Sequence, residues 1–344
     1  MLPVRHIFRW DLDKTYLRTE FDTWRDLVRT AFQKAEDKAN VPGADGLLRE
    51  LTRASELDRV VLTFISGSPT QMRRKLEQKF ALDGIRPDTF ILKPQLENFL
   101  RGRFKAVRGQ VGYKLDALLR VRAMHPIAPE TLFGDDAEQD AFIYSLYADV
   151  VSGAIDLDQL GAILRAANVY HETADGILRH AASVERQDTV RRIFINLDRR
   201  SPPGRFLPLG PRVVPISDYF QAALVLFADG VLQARGVLRV AADMMRDADF
   251  GLQELSTAYQ DLARRGQISR STTERLISAD PAEDSDLPPG FAERLWSRLI
   301  ALAPLNDPPA REWSGPPDYL EVLRSDHAML AALKEEALRR RGLL

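Results

Sequence analysis

Along the first 150 residues, short apolar runs alternate with stretches of helical spacing. Residues 4–10 form a partly apolar run that stops at Asp11. Residues 59–65 form a run of β-branched and apolar residues, with Ser66-Gly67-Ser68-Pro69 behind it as a turn signal. Runs of this kind suit strands buried on both faces. Shorter runs at 89–92 and 131–133 repeat the pattern, the latter ending in Gly134-Asp135-Asp136. Between them, segments 21–38, 43–55, 70–80, 111–124 and 138–147 carry apolar residues at helical intervals. This alternation predicts right-handed βαβ units, and so an α/β fold with a doubly wound parallel sheet.

The pattern then changes. Residues 152–188 read as wholly helical, and strand-like runs return at 190–197 and 212–216 around a proline-rich connection. The expected organisation is an α/β core over residues 1–230 with a helical insertion at 152–188. An all-helical region, 231–344, follows, interrupted by prolines at 281–290 and 304–317. There Phe291, Trp296 and Trp313 read as helix-packing residues, and Asp22 and Asp45 earlier in the chain read as helix caps.

Composition narrows the function. The 344 residues are 45% hydrophobic, enough for a sizeable core. Lys and Arg number 48 against 49 Asp and Glu, a net charge of −1, which argues against nucleic acid as a partner. With no cysteine, disulfides, thiolate metal sites and a cysteine nucleophile are excluded. Arg5, His6 and Arg9 break up any apolar export signal, and the apolar stretches are too short to span a bilayer. The expectation is a cytoplasmic protein without a transmembrane segment.

Four polar clusters stand where ligands bind a doubly wound sheet, at strand ends and the helices that follow. They are Asp11-Leu-Asp13-Lys-Thr15, Ser66-Gly67-Ser68, Lys114, and Gly134-Asp135-Asp136 running on to Asp140. Two carboxylates two residues apart can divide labour as nucleophile and general acid–base. Further carboxylates supply the oxygen ligands Mg²⁺ prefers, a hydroxyl followed by glycine suits phosphate oxygens, and a lysine adds a compact charge. Together they describe metal-assisted phosphoryl transfer through an aspartate.

The order Asp11-x-Asp13-x-Thr15, Ser66, Lys114, Gly134-Asp135-x-x-x-x-Asp140 resembles the haloacid dehalogenase (HAD) phosphohydrolase superfamily. The resemblance implies a HAD-like Rossmannoid core with Asp11 as nucleophile and Asp13 as general acid and then base. It implies phosphate binding by Ser66, Gly67 and Lys114, and a Mg²⁺ held by Asp11, the Asp13 carbonyl and Asp135, with Asp136 or Asp140 in support. Phe64-Ile-Ser-Gly-Ser-Pro69 and Gly134-Asp-Asp-Ala-Glu-Gln-Asp-Ala-Phe-Ile-Tyr144 are most similar to the catalytic domain of actin-patch-associated phosphatidate phosphatases. Lys14 departs from that pattern, which usually has a third aspartate there. The implied partner is a phosphorylated small molecule or a phospholipid headgroup, and the implied activity is that of a phosphoric monoester hydrolase.

Between residues 71 and 122 there are 13 Lys and Arg against five acidic residues, densest at Arg101, Arg103, Lys105 and Arg108. Such a segment suits a solvated face, or a phosphorylated ligand or peripheral contact with an anionic membrane. The cap positions between motifs are short, so the insertion or the helical tail is expected to cover the site. A receiver domain uses similar residues in the wrong order. A HAD-fold scaffold whose tail binds a protein partner is the alternative, separable by phosphatase assay.

Overall fold

In the computed structural model, which describes residues 3–18, 39–53, 59–93, 106–247, 250–279, 287–307 and 314–326, six parallel strands form one sheet. They are β1 (Val4–Trp10), β2 (Arg59–Pro69), β3 (Thr89–Lys93), β4 (Glu130–Asp135), β5 (Val190–Asn196) and β6 (Val213–Ile216). Their order is β3-β2-β1-β4-β5-β6. The chain winds outward from β1 in one direction and then returns to β4 on its other side. The crevice between the carboxyl ends of β1 and β4 is therefore the topological switch point, where this fold class binds ligands.

Helices cover both faces. On one side lie α1 (Ala44–Leu51), α2 (Arg73–Leu82) and a C-terminal set: α7 (Tyr219–Ala228), α8 (Ala234–Asp247), α9 (Leu252–Arg264), α10 (Arg270–Ser278) and α11 (Phe291–Leu302). On the other lie α3 (Ala106–Arg122), α4 (Asp140–Ser152), α5 (Leu157–Ala166) and α6 (His171–Ser183). Strand alternation divides the side chains accordingly. Phe8 and Trp10 join the first core, where Trp10 stacks on Phe133 with ring centroids 3.9 Å apart. Arg9 points to the opposite face, where Glu130 accepts from its Nε at 2.5 Å.

The residues expected as an insertion form α5 and α6, which extend the second helical layer against α3. Asp156 caps the N-terminus of α5 with a capping box. Beyond residue 230, the helices share one continuous core with the sheet: Val237, Leu255, Leu295 and Trp296 cluster with Phe8 and Phe64. A second tail segment, helical over 319–326, returns to the other face, where Tyr319 and Leu323 are buried. No helix among the described residues is long and apolar enough to cross a membrane.

Some local expectations change. Ser66–Pro69 belongs to β2 rather than to a turn behind it, because an irregularity in register against β3 lets the strand continue. Asp45 does not cap α1. Gly43 holds that place in a left-handed conformation, and Asp45 instead pairs with Arg49 at 2.8 Å. The segments 21–38 and 101–105, Asp22 and Trp313 lie outside the described residues.

Candidate active site

The carboxyl ends of β1, β2 and β4, with α3 and the turn entering α4, bring the motifs together. Asp11 leaves β1 buried, its backbone N–H donating to the Phe133 carbonyl of β4 at 2.8 Å. Lys114, wholly buried on α3, reaches it: Nζ lies 2.9 Å from Asp11 Oδ1, 2.5 Å from Asp140 Oδ1 and 2.7 Å from Glu138 Oε2. One ammonium thus faces three carboxylates.

The carboxylates cluster tightly. Ligand atoms of Asp11, Asp135, Glu138 and Asp140 all lie within 4.8 Å of one another. Asp135 Oδ1 accepts from the backbone N–H of Ala137 and Glu138 at 2.6 and 3.0 Å, fixing the turn, while its Oδ2 is buried and unpartnered. Leaving a buried carboxylate oxygen unpaired is costly. An oxygen-only donor set with one orphaned buried oxygen fits a hard divalent cation such as Mg²⁺.

Gly134 makes this approach possible. A Cβ at that position would lie 2.5 Å from both Cβ and Oδ2 of Asp140. Asp140 Oδ2 in turn accepts from the Asp135 backbone N–H at 3.2 Å. Burial raises the Asp11 and Asp135 carboxyls well above the usual range, opposed at both by Lys114. Burial also pushes Asp140 up to about 6, against the pull of Lys114. Burial opposes ionisation of Glu138 too, but Lys114 holds it below the ordinary value. On Lys114 burial works against the charge, and Asp11, Asp140 and Glu138 overcome it.

Asp13 occupies a different corner. Its Oδ2 accepts from Ser66 Oγ at 3.1 Å and from Ser68 Oγ at 2.7 Å. Ser66 Oγ also accepts from the Ser68 backbone N–H at 2.9 Å, and Tyr113 donates to the Ser66 carbonyl at 3.0 Å. Gly67 lies between the two serines and leaves the backbone bare, the nearest atom to a hypothetical Cβ being Gln110 Nε2 at 3.9 Å. Lys14, between the two aspartates, takes a left-handed φ of 59°. Its carbonyl accepts from Asn196 Nδ2 at 2.7 Å, which ties the loop to the end of β5. Thr15 Oγ1 sits 3.5 Å from Asp11 Oδ2.

Of Asp136 and Asp140, the two alternatives for supporting the cation, Asp140 joins the acidic cluster and Asp136 does not. With its two oxygens Asp136 accepts from the backbone N–H groups of Arg199 and Ser201 at 2.7 and 2.9 Å. It thereby anchors the loop after β5 and stands outside the acidic cluster. Asp13, expected to offer its backbone carbonyl to the cation, contributes no carboxylate to that cluster. Sequence reading missed Glu138 and Ser68. Glu138 lies four residues after Gly134 and could have been singled out as the only other acid between Asp136 and Asp140. The Ser68 hydroxyl had no signal beyond its place in the Ser-Gly-Ser run.

Residues 10–157, less than half of the chain, match the family model for the catalytic domain of phosphatidate phosphatase APP1. The matched span contains all four motifs, in agreement with the resemblance drawn from them. No curated protein and no solved structure matches the chain.

Proposed function

We propose, on the match of residues 10–157 to that phosphatase domain, that this chain is a Mg²⁺-dependent phosphomonoester phosphatase working through an aspartyl-phosphate on Asp11. The observation that carries the reading is the shared loop of Asp11 and Asp13, one carboxylate on a buried lysine and the other held by two hydroxyls. The name of the matched family points to a phospholipid-type phosphomonoester as substrate class.

The division of labour follows from the surroundings. Asp11 Oδ attacks phosphorus as the bond to the leaving oxygen breaks, and protonated Asp13 gives that oxygen its proton. Asp13 then takes a proton from water, whose oxygen attacks phosphorus while the Asp11–phosphorus bond breaks. Ser66 and Ser68 orient Asp13 for both transfers. Lys114 and the Gly67 backbone offer positive charge and donors to the phosphoryl oxygens. Asp11, Asp135, Asp140 and Glu138 would hold the cation, which supplies charge neutralisation for the phosphoryl group when bound.

The test is phosphate release from p-nitrophenyl phosphate with Mg²⁺. Asp11→Asn should fall to background, and Asp13→Asn should accumulate or fail to form an alkali-labile phospho-enzyme. Equal background rates for wild type and Asp11→Asn would instead favour the scaffold.

A further inference from the structure

A cavity of about 380 Å³ opens beside the acidic cluster. Glu138 belongs to both: its Oε2 is 2.7 Å from Lys114, and it lines the cavity wall. The cavity therefore adjoins the acidic cluster through the Glu138 side chain. A larger cavity, about 650 Å³, shares no residue with the cluster.

The floor is apolar, with Phe142 of α4, Phe206, Leu209 and Val322 among its residues. One wall comes from the far end of the sequence, residues 317–326. That wall is fastened at both ends. Tyr319 donates to Asp149 Oδ2 at 2.5 Å, and Arg212 donates to the other oxygen of the same buried carboxylate at 2.6 Å. Phe142 and Tyr319 pack edge-on with centroids 5.5 Å apart. At the other end Arg205 pairs with Asp326 at 2.9 Å.

Charge decides what can enter. Among the described residues the lining holds Asp136, Glu138, Asp318, Glu321 and Asp326 and one cation, Arg205, which pairs with Asp326; Lys114 and Arg324, outside the lining, pair with Glu138 and Glu321. An anionic group placed there would meet carboxylates and find no free cation among the described residues of the lining. An uncharged aliphatic group would remove its apolar surface from water against the floor, more so with each added methylene.

We propose that residues 317–326 complete a leaving-group subsite beside Glu138, which accepts an uncharged aliphatic alcohol portion and rejects an anionic one. The subsite rests on the phosphatase reading above for its place in the reaction. It assigns the tail a role in selecting substrate rather than in chemistry. The insertion takes no part in the lining.

Steady-state kinetics on the full chain with methyl phosphate, octyl phosphate and 8-phosphooctanoate test this. For the wild type, kcat/KM should be at least about tenfold higher for octyl than for methyl phosphate, and about tenfold lower for the carboxylated chain than for octyl. Val322→Trp, which fills the cavity, should remove the octyl advantage and leave methyl phosphate within about twofold. Glu321→Lys, on the exposed rim, should raise kcat/KM for 8-phosphooctanoate. Binding of 1-octanol, measured by calorimetry on wild type and Val322→Trp, provides an arm independent of turnover. Octanol binding to wild type and not to Val322→Trp supports the subsite even if no phosphate is released, which would sink the phosphatase reading alone. Equal kcat/KM for methyl and octyl phosphate, or octanol binding unchanged by Val322→Trp, overturns the subsite.

Discussion

At the scale of single residues, the site is governed by how closely charged atoms are forced together. Gly134 is the clearest case, since a methyl group there would overlap Asp140 at 2.5 Å. Gly134→Ala should displace Asp140 and lower stability by about 1–3 kcal/mol, measured by denaturant unfolding, with loss of phosphatase activity. Asp135 gives a second test. Its unpartnered Oδ2 should gain a partner when Mg²⁺ binds, so saturating Mg²⁺ should raise the melting temperature of the wild type. At a hundredfold excess over Kd the gain is about 2.7 kcal/mol, and Asp135→Asn should lose most of it. The sequence alone made the carboxylates legible through their ordered spacing. It could not show that Asp136 turns its oxygens to Arg199 and Ser201, since those amides come from a loop more than 60 residues away. Glu138 was hidden for the related reason that only the fold carries Lys114 to it.

At the scale of elements, the strand runs were readable because apolar residues buried on both faces leave a continuous signature. The charges buried among them were not. Glu130 opens β4 and takes the Nε of Arg9 and the Nη1 of Arg122, each at 2.5 Å, with Tyr147 donating at 2.9 Å. Nothing in a hydropathy pattern distinguishes such a network from a solvated position. Glu130→Ala should cost about 3–5 kcal/mol because it strands two buried guanidinium groups, as chemical denaturation would read. His6 on β1 yields a pH prediction. Its pKa is lowered to about 4, chiefly by burial and also by Arg5 and Arg191, with Glu130 and Asp229 opposing. A folded-state value below the unfolded one of about 6.5 means the unfolded chain binds more protons between these limits. The contribution of His6 is present above pH 6.5 and lost as pH falls toward 4. His6→Gln should flatten that part of the stability–pH curve, recorded by thermal melts across the interval.

At the scale of the molecule, the parallel sheet and its switch point were legible from alternating strands and helices, and they place the motifs without further information. The closing layers were not. That the C-terminal helices share the core of the sheet, and that residues 319–326 cross to its other face, depends on contacts the linear pattern does not encode. Tyr319→Phe should loosen this return by removing a hydrogen bond to a buried carboxylate, at about 1–3 kcal/mol in unfolding free energy. The cost should appear with the helical fold otherwise intact by circular dichroism.

The continuous core under α7–α11 also has a consequence for the order in which the chain is made. All six strands precede residue 217, yet their aromatic face, with Phe8, Trp10 and Phe133, is covered by helices extending to residue 302. During synthesis the sheet residues leave the ribosome well before their cover, since chains emerge N-terminus first at about 5–20 residues per second. For several seconds the nascent chain carries a hydrophobic face that only α1 and α2 partly cover. Ribosome-bound chains stopped near residue 230 should therefore engage chaperones more strongly than chains stopped after residue 303. Only the second group should acquire a protease-resistant core.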